Sequence, residues 1–189
     1  MHDALGSALA EQRMKAVLPH VKGRLLDLGR GSNSLVRMYA NGVGVDVYPW
    51  PGADVVVDDS ASLSWESQSF DTIAIVAALN HMPNRRAVLQ ECRRVLRPNG
   101  HVVVTMLTPR TSRIWHWLRS RWDADQVERG MKPGEVYGFT PAALIGLFAS
   151  CGFILSTQSR FMLGFNRLYV FRLAEMPVRA ALDDQKKAS

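Results

Sequence analysis

The stretch RLLDLGRGSNSLVRM, residues 24–38, decides the fold, because a short apolar run passes directly into two glycines one residue apart. The run that ends at Leu28 predicts a β-strand buried on both faces. Gly29 and Gly31 would let the backbone turn tightly and approach a ligand with no Cβ in the way. Ligands of open parallel sheets bind at the carboxyl ends of strands. The stretch therefore predicts a ligand-binding turn after the first strand.

Similar apolar runs recur along the chain and alternate with helical patterns. They predict further strands at residues 42–47, 53–58, 70–79 and 101–107, with a helix between the last two that Pro98, Asn99 and Gly100 stop. Only YPWPG, residues 48–52, separates the second strand from the third, so that crossover is expected to have shrunk to a turn. The alternation predicts an α/β fold with a doubly wound, mostly parallel sheet of about seven strands.

The two ends of the chain add a helix and an antiparallel hairpin. Apolar spacing predicts a helix over residues 4–18, and a second helix begins at Thr140 as N-cap with Pro141 at its first position. Residues 153–163 and 166–173 then alternate like two strands joined by the tight GFN connection. We expect one domain over residues 23–175, an N-terminal helix in residues 1–22 that covers the cleft, and a disordered tail at 176–189.

Composition limits the classes of protein that the chain can be. Its 189 residues carry a formal charge of +6, but the basic residues are scattered, so charge alone does not demand a nucleic-acid partner. No apolar run reaches the length that crosses a bilayer, and the N-terminus is too polar for a signal peptide, which predicts a cytoplasmic protein. The two cysteines, in apolar stretches, predict reduced core thiols and no structural metal.

An acid further along the chain indicates what the glycine turn holds. Asp46 ends the second strand seventeen residues after Gly29, near the spacing at which an acid meets a ribose hydroxyl. A dinucleotide fingerprint requires a third glycine where this chain has Ser34, which disfavours a pyrophosphate. Asp27 adds negative charge that suits a ligand with an amino group and a sulfonium. Both features predict S-adenosylmethionine.

These residues resemble a known family, the class I S-adenosylmethionine-dependent methyltransferases, over about residues 23–173. LLDLGRGSN resembles the first motif of that family, which implies that Asp27 lies near the methionine amino group and that Gly29 and Gly31 line the cofactor. GVGVDV resembles the second strand, with Asp46 on the ribose. The stretch from residue 55 to 82 resembles the next motifs, which implies a further set of cofactor-binding residues beside the adenine and the sulfonium: Asp59, Ser60, Ala77 and Leu79. Asn33 stands where the family usually has a third glycine, and Asn tolerates the left-handed backbone better than most residues.

Methyl transfer itself needs positioning and exclusion of water, and a base only when the acceptor must lose a proton. His81, just past the fourth strand, is the candidate for that base, and the alternative is that it only shapes the cofactor pocket. The acceptor is expected to be small and apolar, aromatic or lipid-linked. The insertion at residues 108–138 is expected to recognise it as a lid. The tryptophan-rich face of residues 113–122 either packs on the domain or rests on anionic lipid, as in a protein bound peripherally to a membrane.

Other functions remain open at this point. A nucleic-acid methyltransferase ranks lower, because ALNHM (residues 78–82) stands where the nucleic-acid branches of the family tend to carry a polar aromatic motif such as Asn-Pro-Pro-Tyr. A module that binds S-adenosylmethionine without turnover is a third reading, and a dinucleotide oxidoreductase a remote fourth.

Overall fold

The structure, a computed structural model, describes residues 4–29, 33–50, 54–107 and 133–175. Its centre is a seven-stranded sheet in the order β3-β2-β1-β4-β5-β7-β6. The strands are β1 (Leu25–Leu28), β2 (Gly42–Asp46), β3 (Val55–Val56), β4 (Phe70–Val76), β5 (Leu96–Leu107), β6 (Phe153–Phe161) and β7 (Asn166–Leu173). The first five are parallel, and β7 runs antiparallel to β5 and β6. The predicted mostly parallel sheet with a C-terminal hairpin is confirmed.

The helices of the described residues lie in two layers, one on each face of the sheet. They are α1 (Ala4–Val17), α2 (Ser34–Tyr39), α3 (Arg85–Val95) and α4 (Pro141–Ser150), together with two short 3-10 helices, Leu18–His20 and Leu79–His81. Met14 and Val17 of α1 pack with Leu35 of α2 over one face of the sheet. Val88 of α3 and Phe148 of α4 pack over the other face. This two-sided burial explains why the central strands are continuously apolar.

The crossover between β2 and β3 is short, although it is longer than the predicted connection of residues 48–52. Val45 pairs with Val55 and Asp46 with Val56, both in parallel register, so residues 47–54 alone connect the strands. β3 is shorter than the predicted run of residues 53–58. The chain turns away at Asp59, whose carboxylate accepts a hydrogen bond from the Ala61 N–H at 2.8 Å. Because of this early turn, Asp59 and Ser60 lie at the carboxyl edge of the sheet.

The junction between α3 and β5 corrects the predicted boundary. The helix ends at Val95, and β5 begins at once with Leu96, five residues before the predicted start of the strand. Leu96 pairs with Phe70 and His101 with Thr72, so residues 97–100 form an irregularity in the ladder. A Cβ on Gly100 would lie 2.7 Å from the Leu96 side chain and 2.9 Å from the backbone carbonyl oxygen of Asp71, so this irregularity favours glycine. Pro98, Asn99 and Gly100 therefore do not stop the helix, which has already ended, but lie in this irregular part of β5.

The C-terminal elements follow the prediction except at the tip of the hairpin. Thr140 caps α4, its hydroxyl oxygen accepting from the Ala143 N–H at 3.2 Å. The predicted strand over residues 153–163 stops at Phe161, because Met162 and Leu163 adopt positive φ angles of 51° and 55°. The connection is therefore residues 162–165, rather than the GFN turn alone.

The two cysteines are buried and form no disulfide, as the sequence predicts. Burial raises the pKa of the Cys92 thiol, which keeps it protonated and unreactive. Across the described ranges, no helix combines the length and the apolar character needed to span a membrane. The predicted tail at residues 176–189 lies outside the described residues.

Candidate active site

A cavity of about 630 Å³ opens at the carboxyl edge of the sheet, beyond the ends of β1, β2 and β4. Six of the residues predicted for the site line it: Gly29, Asp46, Asp59, Ser60, Ala77 and His81. They come from four separate stretches of the chain, and the parallel topology brings their strand ends to one edge. The volume is in the usual range for a small-molecule site.

Gly29 gives the cavity a wall of bare backbone. Its φ of 69° lies in the left-handed region, and a Cβ built on it would lie 2.5 Å from the Ala78 Cβ. The Gly29 N–H donates to the Val45 carbonyl at 2.9 Å, which fixes the turn against β2. Glycine is therefore required here for both its conformation and its lack of a side chain.

The adjoining wall is a turn at the end of β4 that is held from β5. Ala77 has a positive φ of 52°, which costs free energy for a residue with a Cβ. Its N–H donates to the carbonyl and to the hydroxyl oxygen of buried Thr105, at 3.2 and 3.1 Å. These bonds offset the strain and keep Ala77 and Ala78 at the cavity.

The cavity is lined with carboxylates. Asp46 is 8% exposed, and one of its carboxylate oxygens accepts from the Tyr48 N–H at 3.0 Å. Asp59 accepts hydrogen bonds from the Ala61 N–H and from the Asn84 side-chain amide, at 2.8 Å each. Both bonds lower its pKa, and the bond from the backbone has the larger effect. Asp58 is the third carboxylate, and the described lining contains neither lysine nor arginine. The lining therefore suits a cationic ligand better than a phosphate.

His81 lies at the end of the 3-10 helix Leu79–His81 and is held from both sides. Its Nε2 is 2.9 Å from the Asn80 side-chain nitrogen, and its Nδ1 is 3.5 Å from Oε2 of Glu135. Sequence reasoning missed Glu135, which follows the turn Pro133–Gly134 and belongs to no periodic pattern. It also missed Trp50, Asp58 and Met82 of the lining, although Trp50 stands in the shortened crossover soon after Asp46.

Two of the predicted site residues do not line the cavity among the described residues. Asp27 is buried in β1, two residues before the turn, and Leu79 is fully buried in the core behind it. Gly31 lies outside the described residues, as do residues 113–122 and most of the predicted lid. Their roles stay predictions.

Comparison with known proteins finds relatives of the part of the chain that forms this site. The profile for "Methyltransferase domain" matches residues 26–104, which include β2, β3 and β4, most of β1 and β5, and every described lining residue of the cavity. The demethylmenaquinone methyltransferase of Thermotoga maritima is 38% identical over 74 residues, which are 36% of this chain and 32% of that protein. The ubiquinone/menaquinone biosynthesis C-methyltransferase UbiE of Burkholderia vietnamiensis is 26% identical over 120 residues, 53% of this chain and 48% of the relative. The chain thus spans half or less of the length of these relatives.

Two solved structures share the fold at low sequence identity. The methyltransferase in a complex with the Haloferax volcanii Trm112 methyltransferase activator superposes with a TM-score of 0.68 at 15% identity, over 92% of this chain and 95% of that one. The 1,6-didemethyltoxoflavin-N1-methyltransferase of Burkholderia thailandensis, which holds S-adenosylhomocysteine, gives 0.64 at 16% identity, over 92% and 84%.

Over residues 26–104, which are fewer than half of the 189 residues, the chain is similar to the class I S-adenosylmethionine-dependent methyltransferases. The cofactor of that family is S-adenosylmethionine, and the residues present fit it. Gly29 forms a left-handed turn at which a Cβ would collide with Ala78, and the carboxylates of the lining complement a ligand with cationic groups. Asp46 lines the same cavity at the end of β2, and its contact with a ribose stays a prediction.

Proposed function

We propose that this protein transfers the methyl group of S-adenosylmethionine to a small aromatic acceptor of the quinone type. The observation that carries the proposal is the cavity in which Gly29, Asp46 and His81 meet at the carboxyl edge of the sheet. The names of the relatives, a demethylmenaquinone methyltransferase and a ubiquinone/menaquinone C-methyltransferase, support the acceptor class.

The residues of this chain would hold the two reactants in line. S-adenosylmethionine supplies a methyl group already activated on a sulfonium. Gly29 and Asp46 hold the nucleoside side of the cavity, and the turn at Ala77 and Ala78 forms the wall beside the reacting centre. Orientation and removal of water supply most of the acceleration in such a transfer.

Methylation of an aromatic carbon or of a hydroxyl also releases one proton from the acceptor. His81 is the imidazole of the described lining, and we assign it that proton. Its Nε2 would accept the proton once the acceptor displaces the Asn80 amide, which occupies that nitrogen at 2.9 Å. The predicted lid, including residues 113–122, would then supply apolar contacts to the acceptor. In the alternative, residues 113–122 rest on a lipid surface.

Replacement of Asp46 by asparagine tests the cofactor site. The amide side chain keeps an oxygen for the Tyr48 N–H but loses the charge that grips the ribose. Since hydrogen bonds to a charged group are worth about 1.5–3 kcal/mol, the affinity for S-adenosylhomocysteine is expected to fall about 10- to 100-fold in calorimetry. Asp54→Asn is the matched control, because Asp54 accepts from the Gly44 N–H outside the cavity lining. Unchanged affinity in the Asp46→Asn variant contradicts the ribose assignment.

The acceptor class needs a separate assay. Purified protein is incubated with methyl-labelled S-adenosylmethionine and a cell extract, and the label is partitioned among lipid, nucleic-acid and small polar fractions. Label in the lipid fraction, lost in His81→Ala, supports a quinone-type acceptor. Label in the nucleic-acid fraction would revive the lower-ranked alternative.

A further inference from the structure

Residues 133–139, which we call the return segment, lead into α4 and lie against the 3-10 helix at the cavity. The Val136 N–H donates to the Asn80 carbonyl at 3.0 Å. The Arg85 guanidinium donates to the Gly134 carbonyl and lies 5.4 Å from the centre of the Phe139 ring. The return segment is therefore fastened to the stretch that carries His81.

Glu135 is the charged member of this contact, and it is nearly removed from solvent. Its side chain is 5% exposed, against 38% for His81. The neighbouring Arg85 has its pKa lowered by desolvation, and the charge of Glu135 opposes that effect. A carboxylate withdrawn from water to this extent is retained only where cationic or donor groups face it.

The contacts of His81 favour one tautomer. Oε2 of Glu135 lies 3.5 Å from Nδ1, and this contact favours the hydrogen on Nδ1 because a carboxylate oxygen accepts. In the neutral ring Nε2 is then an acceptor, which matches the Asn80 side-chain nitrogen as donor at 2.9 Å. The tautomer of a histidine is set by the hydrogen bond that its second nitrogen makes.

We propose that Glu135 is a positioning residue that holds the proton of His81 on Nδ1, presents the Nε2 lone pair to the acceptor side, and fastens the return segment to the cavity. The inference deepens the proposed function and rests on it for the role of His81. It links the end of the predicted lid to the one imidazole of the described lining.

The test uses the full chain and nitrogen-15 NMR of the histidine rings, with Glu135→Ala and Glu135→Gln. In the wild type we expect the His81 proton on Nδ1. In Glu135→Ala the proton is expected to move partly to Nε2, and the Val136 amide to exchange about tenfold faster, since a hydrogen bond to a charged group is lost. Glu135→Gln, whose amide oxygen still accepts, is expected to restore both readouts.

The control is Glu91→Ala, which removes another poorly exposed carboxylate, paired with Arg94 at 2.7 Å. It should leave the His81 tautomer and the Val136 exchange unchanged. A wild-type His81 with its proton on Nε2 overturns the inference without any substitution, and so does a Glu135→Ala variant that changes neither readout. Failure of the wild type to bind S-adenosylhomocysteine in calorimetry refutes the proposed function instead, because the NMR readouts need no cofactor.

Discussion

Replacement of Gly29 by alanine is the most direct test of the cofactor turn, because two separate costs can be calculated for it. The left-handed φ of 69° costs alanine about 1–2 kcal/mol. The new Cβ would lie 2.5 Å from the Ala78 Cβ, and overpacking of this kind costs about 1–3 kcal/mol. The free energy of unfolding is therefore expected to fall by about 2–5 kcal/mol. The shifted wall is also expected to weaken S-adenosylhomocysteine binding at least about tenfold.

A second substitution separates the two costs. Ala78→Gly removes the Cβ that the new side chain would contact. The double variant should therefore lose the free-energy cost of overpacking and keep only the cost of the left-handed φ. A double-mutant cycle, measured by urea denaturation, is then expected to give a favourable coupling of about 1–3 kcal/mol.

Gly146→Ala provides the matched glycine control. Gly146 lies in α4 with no atom within 4 Å of a built Cβ, so alanine should stabilise the protein by up to about 1 kcal/mol and leave affinity unchanged. The reasoning fails if Gly29→Ala retains wild-type stability and affinity, or if the cycle shows no coupling.

Two further predictions concern stability. Burial lowers the pKa of His101, whose ring also contacts the His20 carbonyl oxygen. Below about pH 6.5 the unfolded chain therefore binds more protons than the folded one, and the free energy of unfolding should fall as the pH drops toward the pKa of the folded state. His101→Gln should flatten this slope in urea denaturation between about pH 7 and 5.5, and an unchanged slope would assign it to other groups. Thr140→Ala removes the N-cap of α4 and should lower the free energy of unfolding by about 1 kcal/mol in the same assay. Thr140→Ser keeps the capping hydroxyl and should retain most of the wild-type stability.

The cofactor half of the site could be predicted from the sequence because its determinants are local. A glycine that directly follows an apolar strand indicates a tight backbone turn at that position. In a parallel sheet, an acid at the end of the next strand lies at the same edge as that turn. Gly29 and Asp46 are such residues, and both line the cavity.

The features that the sequence did not reveal depend on contacts between distant stretches. The early start of β5 follows from the pairing of Leu96 with Phe70, which no local pattern encodes. Glu135 is 54 residues from His81, and its place depends on where the end of a long insertion docks. No apolar periodicity marks such a residue, so only the fold brings it to the imidazole.

The charge of the cavity also bears on what the site can hold. The chain carries a formal charge of +6, yet the described lining presents Asp46, Asp58 and Asp59 without a lysine or arginine. Asp46 is buried whereas Asp58 and Asp59 are exposed, so solvent screens the charges of the latter two more strongly. The shared negative sign attracts a sulfonium and an ammonium and repels a pyrophosphate. The lining thus opposes the overall charge of the protein, and it disfavours a dinucleotide, as does Ser34 in place of the third glycine.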